Sequence, residues 1–171
     1  MQQSLETDLL FIENFAHQNQ QENDSFVLYL KSLESTYLDA TVLALNEAIT
    51  PKIDCTKCGN CCKTLMINVT DNEANNLANH LQESREKFDE KYIETGSSGM
   101  MILNKIPCHF LKENKCTVYE FRFEGCKEFP AMHLPHFKER LFTTFMNYAR
   151  CPIIFNIVEH LKTETNFKKV S

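Results

Sequence analysis

The sequence predicts a mainly α fold with minor β: a small single domain in which an N-terminal helical pair joins an irregular, cysteine-rich core. Three observations predict it. Apolar residues before Pro51 recur at spacings of three and four, the mark of one buried helix face. Helix-start signals follow at Thr70 with Glu73 and again at Pro152. Between these signals the strand-like runs are short, and eight cysteines are spread from position 55 to 151.

In chain order, Ser4 is expected to cap a first helix whose stripe is Leu5, Leu9, Ile12, Phe15 and Ala16. Gln18 to Asp24 (QNQQEND) reads as a polar loop. Ser25 then caps a second helix carrying Leu30, Leu33, Tyr37, Leu38, Val42, Leu45 and Ile49. Pro51 stops it, because the residue before a proline is pushed out of helical geometry.

Leu65 to Val69 is strand-like, and the Thr70–Glu73 capping box predicts a helix over Asp71 to Gln82. A short helix is expected from Arg85 to Ile93 and a flexible turn from Gly96 to Gly99. Met100 to Leu103 and Cys116 to Tyr119 read as strands. Phe137 to Tyr148 reads as helical, although Thr143 and Thr144 favour a strand. Pro152 opens a last helix with Ile154, Ile157, Val158 and Leu161 inward. The expected organisation is a helical segment at 1–50 packing on the core, a cysteine domain at 51–165, and a tail at 166–171 that frays.

Composition narrows the function. The 171 residues carry 18 Lys and Arg against 23 Asp and Glu, a net charge of −5. A general electrostatic grip on nucleic acid or on an anionic membrane is therefore not expected. No apolar run approaches the ~20 residues that span a bilayer. The N-terminal stretch is acidic and amphipathic rather than basic and then apolar, so a cytoplasmic location is expected.

The cysteines carry the chemistry: Cys55, Cys58, Cys61, Cys62, Cys108, Cys116, Cys126 and Cys151. In a reducing compartment, clustered thiols point to a metal or redox site rather than a disulfide framework. Four of them lie in one run, CTKCGNCC, where overlapping C-x-x-C steps put several sulfurs on one tight loop. Gly59 allows the positive φ, or the close backbone approach, that such a knuckle needs. The other four must be gathered by the fold, which makes the core metal-centred. A structural thiolate site supplies about 10–16 kcal/mol of apparent binding free energy. That rivals the roughly 5–15 kcal/mol net stability of a whole domain, so the metal-free chain is expected to fold poorly between these positions.

Two inventories remain open. Eight thiols match two closed Zn2+ sites of four sulfurs each. Alternatively, three loop cysteines and a remote one hold a [4Fe–4S] cluster. The C-x-x-C-x-x-C run resembles the opening of the bacterial ferredoxin motif, and Cys151 with Pro152 resembles its remote Cys-Pro. The run favours the cluster slightly, since zinc knuckles usually offer two cysteines per loop.

These residues together resemble the CxxCxxCC cysteine-cluster family, a zinc- or iron-chelating domain. Its leading motif corresponds to Cys55, Cys58, Cys61 and Cys62. Its second block resembles Cys108 to Leu111, Cys116 to Arg122 and Cys126 to Pro130, and its final Cys-Pro resembles Cys151 and Pro152. Phe123 stands where the family has proline, Lys127 where it has arginine, and His109 where proline is common; Val118 replaces isoleucine. The resemblance implies metal binding and little more. A related cysteine domain occurs in flagellin lysine N-methylases, so a cluster-dependent protein-modifying enzyme is an alternative by analogy. A thiol redox switch ranks last, because adjacent cysteines such as Cys61 and Cys62 are awkward disulfide partners.

Other residues are weighed beside these. His109, His133 and His136 are alternative ligands or donors to sulfur, while His17, His80 and His160 read as solvated helix faces. Arg122 and Lys127 flank Cys126 and either lower nearby thiol pKa values or form salt bridges with Glu120, Glu124 or Glu128. Phe110, Tyr119, Phe121, Phe123 and Phe129 read as a dry wall around the metal rather than a base-stacking surface. The expected partner is a metal ion or cluster, with a protein partner open.

Overall fold

A computed structural model describes residues 4–168. It is mainly α, as expected, with ten α-helices and five short strands among the described residues. None of these helices is long and apolar enough to cross a membrane. The chain divides into two compact units, one from the described parts of Met1–Asp54 and Pro130–Ser171, the other from Cys55–Phe129.

The first unit is a helical bundle. Its N-terminal part holds three helices rather than two: α1 (Leu9–Gln18), α2 (Gln20–Ser32) and α3 (Ser35–Ile49). Ser4 is not the cap. Asp8 is, its carboxylate accepting from the amides of Leu10 and Phe11 at 2.8 and 3.0 Å. The residues before it are held outside the helix, because Asn156 binds both backbone groups of Glu6 at 2.9 and 2.7 Å.

The polar run expected as a loop forms the start of α2. Asn23 is buried there and shares a face with Phe26 and Leu30, so a polar residue occupies an apolar register position. The expected single helix breaks at Leu33 and Glu34, both extended, and Glu34 recaps α3 by accepting from the amide of Tyr37 at 2.8 Å.

The rest of this unit follows the predicted pattern. A 3₁₀ turn over Phe137–Arg140 leads into α9 (Leu141–Met146), and α10 (Pro152–Glu164) starts on its proline. Helix α10 packs on α1 and α3. Ile12, Phe26, Leu30, Leu38, Phe137, Leu141, Ile157 and Leu161 build the core. Phe167, in the segment expected to fray, packs on Phe26 and Tyr29 with ring centroids at 4.8 and 5.4 Å. Residues 169–171 of that segment lie outside the described residues.

The second unit begins with two short helices, α4 (Cys55–Cys58) and α5 (Asn60–Thr64), then β1 (Asn68–Val69). Helices α6 (Asp71–His80) and α7 (Arg85–Tyr92) follow, the first with the predicted capping box fully formed. Strands β2 (Ile93–Thr95) and β3 (Met101–Leu103) join β1 in an antiparallel sheet of order β1-β3-β2. Its register sets Val69 opposite Met101 and Ile93 opposite Leu103.

A hairpin of β4 (Leu111–Lys112) and β5 (Lys115–Cys116) comes next, followed by a 3₁₀ turn at Tyr119–Phe121 and α8 (Glu124–Glu128). The strand expected over Cys116 to Tyr119 is therefore shorter and starts earlier. Ala74, Leu77, Phe88, Leu103, Phe110, Val118 and Phe123 form this unit's core, with Cys108, Cys116 and Cys126 packed against it.

Candidate metal centre

The knuckle forms because Gly59 takes a left-handed φ of 57°, splitting CTKCGNCC into two helical turns. The Gly59 amide closes α4 on the carbonyl of Cys55 at 3.0 Å, and the Leu65 amide closes α5 on Cys61 at 2.9 Å. Cys55 and Cys58 are three apart on one helical turn and so lie on one side of it.

Gly59 also has a neighbour. A Cβ placed on it would meet the carbonyl oxygen of Asn114 at 3.0 Å. Asn114 and Glu113 are the central residues of the β4–β5 hairpin, with φ of 62° and 51°, as a type I′ turn requires. The hairpin tip thus sits against the knuckle, and its register places Cys116 opposite Leu111. Cys108 is tied directly to the knuckle, its amide donating to the carbonyl of Cys62 at 2.8 Å. Cys126 lies in α8, where its amide closes on Phe123 at 2.9 Å.

These local structures gather Cys61, Cys62, Cys108, Cys116 and Cys126 into one electrostatic neighbourhood. A hydrogen bond from Cys62 is the main reason that the Cys61 thiol lies below its ordinary range; the same bond, burial and the nearby thiols push Cys62 up. Burial, then the charges of Cys116 and Cys61, raise Cys108. Burial, then Cys108, Cys61 and Cys116, push Cys126 up to about 12, against the pull of the Arg122 guanidinium.

Cys58, Cys61, Cys62, Cys108, Cys116 and Cys126 are free thiols. Cys55 is exposed and Cys58 half-buried, both on the knuckle. Cys151 belongs to the other unit, where it is buried as the N-cap residue of α10. Among the described residues no three His, Cys, Asp or Glu side chains stand converged as a finished cage. The five sulfurs are neighbours, gathered but not closed.

The donor set fits a thiophilic cation. Deprotonating several half-buried thiols side by side concentrates negative charge where water is partly excluded, and a bound metal supplies the missing charge. Phe110, Val118 and Phe123 give the thiols an apolar backing, with the Phe110 and Phe123 centroids at 6.5 Å. Tyr119 and Phe121, expected in that wall, are exposed instead.

The remaining candidates divide. His109 bonds Asn104 through Nε2 at 2.6 Å and lies edge-on to Tyr92. Burial, then the charges of Lys105 and Lys91, lower its pKa. His133 and His136 belong to the helical unit, where the backbone amide of His136 donates to Asp39 at 2.8 Å. Lys127 forms the expected ion pair with Glu124 at 3.3 Å. Arg122 forms no ion pair among the described residues; its guanidinium lies 3.8 Å over the Tyr119 ring.

Two features carried no sequence signal for the site. One is the hairpin tip, whose turn lacks glycine. The other is Glu73, which caps α6 and also accepts from the amide of Glu124 at 2.6 Å, bracing α8 and with it Cys126.

No curated protein and no solved structure significantly matches the chain. Residues 54–152 match the family described as CxxCxxCC, putative zinc- or iron-chelating domain. That span begins one residue before Cys55, ends one residue after Cys151 and covers more than half of the sequence, so the chain belongs to the CxxCxxCC family.

Proposed function

We propose that this chain chelates a metal with ligands drawn from Cys55, Cys58, Cys61, Cys62, Cys108, Cys116, Cys126 and Cys151, and that the chelated species is a [4Fe–4S] cluster held by four of them, which leaves the other four as second-site ligands or redox thiols. The observation that carries the chelation is the gathering of Cys61, Cys62, Cys108, Cys116 and Cys126 around the knuckle. The C-x-x-C-x-x-C run supports the cluster, because three cysteines of one loop and one remote cysteine are its usual ligand pattern. Zinc is the second reading, favoured by a count of eight thiols that divides into two four-sulfur sites.

A centre ligated wholly by thiolates leaves no open position for a substrate, which suits electron transfer or the handling of the cluster itself. The free thiols from Cys58 to Cys126 also suit a reducing cytoplasm.

The test is anaerobic purification from cells given iron and zinc, with metal and sulfide analysis and an absorption spectrum. A brown protein with broad absorption near ~400 nm and about four irons and four sulfides per chain bears out the cluster. A colourless protein with one or two zinc ions replaces it with the zinc reading. A metal-free protein with eight reactive thiols overturns chelation altogether.

A further inference from the structure

A cleft of about 270 Å³ is lined by Glu73, Asn76, Asn79, Phe121, Arg122 and Lys127, with Glu120 at the same wall. Arg122 is its least satisfied group. One face of the guanidinium is stacked on Tyr119. A guanidinium has five N–H donors, and among the described residues none of those of Arg122 meets an acceptor and no carboxylate pairs with it. The side chain is half-buried, so water compensates these donors only in part.

The other polar linings sort into committed and uncommitted groups. The Glu73 carboxylate is occupied by Thr70 and by the amide of Glu124. Lys127 is held by Glu124. Glu120, Asn76 and Asn79 have no side-chain hydrogen bond or ion pair among the described residues. The cleft therefore offers a cation that makes no hydrogen bond among the described residues, though its charge also acts on Cys61 and Cys126, one uncommitted anion and two amides. Arg122 and Glu120 are two apart in sequence and do not pair with each other, since Arg122 is held on the Tyr119 ring. Phe121 supplies an apolar surface, stacked on His80 at 3.8 Å.

A ligand that satisfies this set carries a carboxylate for Arg122 and an ammonium for Glu120, with backbone-like groups for the amides. Size agrees. The volume of about 270 Å³ lies at the lower edge of the ~300–1,000 Å³ of small-molecule pockets. A dianion such as phosphate is disfavoured by the Glu120 and Glu73 carboxylates at the same walls.

From these observations we infer that the cleft between α6 and the Tyr119–Phe121 turn is a binding site for a free α-amino acid, held through its carboxylate by Arg122 and through its ammonium by Glu120. The inference goes beyond the metal reading, because its ligand is held by Arg122 and Glu120 rather than by the thiols.

The test is calorimetric titration of the anaerobically purified full chain with each L-amino acid except the metal-binding cysteine and histidine, and separately with propionate, ethylamine and inorganic phosphate. At least one amino acid is expected to bind saturably with a Kd of ~1 mM or tighter, and propionate and ethylamine more weakly. R122Q is expected to weaken that binding at least tenfold. E120Q weakens the amino acid but leaves propionate unchanged. Should R122Q lose its circular dichroism spectrum, N79A and E120Q carry the test. The inference is overturned if no amino acid saturates, if phosphate binds as tightly as the best amino acid, or if these substitutions in folded protein leave binding unchanged.

Discussion

The amide of Cys108 donates to the carbonyl of Cys62 at 2.8 Å, joining the cysteine knuckle to the second cysteine block through backbone alone. A side-chain replacement at Cys108 leaves that bond in place, so fold and ligation are separable at this position. Cys108→Ser is expected to keep the circular dichroism spectrum of unit Cys55–Phe129 while lowering metal content per chain. Metal analysis of the purified variant checks it, and an unchanged metal content removes Cys108 from the ligand set.

Gly59 is constrained twice, by its left-handed φ and by the Asn114 carbonyl 3.0 Å from where a Cβ would stand. Gly59→Ala is expected to lose about 1–2 kcal/mol from the left-handed backbone alone, and more from displacing the hairpin tip. Denaturant unfolding of the metal-loaded chain measures it, and the variant should also bind metal more weakly. A loss below the backbone figure means that the tip yields freely.

Glu73 links stability to pH. Burial raises its carboxyl pKa, but the Glu124 amide and Thr70 outweigh burial, and the pKa ends below the ordinary 4.5. A depressed folded pKa means that its stabilisation is complete above about pH 4.5 and disappears as pH falls through the lower folded value. Glu73→Gln keeps the capping box, which glutamine also forms, and loses the negative charge at the α6 N-terminus, at an expected cost of about 0.3–1 kcal/mol at pH 7. It should also flatten the acid limb of a stability-against-pH curve; an acid limb as steep as the wild type's assigns that dependence to another carboxylate.

In the helical unit, Lys162 reaches Glu22 and Glu159, each at 2.8 Å, and its side chain is only 9% exposed. The Tyr148 hydroxyl donates to the same Glu159. Lys162→Met leaves two poorly hydrated carboxylates without their cation and is expected to destabilise by about 3 kcal/mol. Urea unfolding followed by circular dichroism reads this directly, and a change under a third of that figure means that water reaches both carboxylates.

What was legible in the sequence was local. Thr70 with Glu73 and Pro152 each carry their helix start within one turn, and both helices begin where those residues predict. Asn23 hid α2, because a buried asparagine at a core register position reads as loop composition. Leu33 hid the break before α3, since the apolar spacing runs across it while its backbone is extended. The hairpin was missed because Glu113 and Asn114 adopt positive φ without the usual glycine. At the candidate centre, the thiols themselves were legible from spacing. The contacts that gather them, Cys108 on Cys62 and Asn114 on Gly59, are long-range and leave no mark in either segment.

The central claim is that sulfur from the knuckle and from the second block ligates one metal. X-ray absorption at the edge of the bound metal, on anaerobically purified chain, tests it most directly. The account predicts a shell of four sulfurs at about 2.3 Å, with an added metal–metal shell if the species is a cluster. It also predicts a depleted sulfur shell in Cys116→Ser. A first shell dominated by nitrogen or oxygen, or one unchanged in that variant, would contradict it.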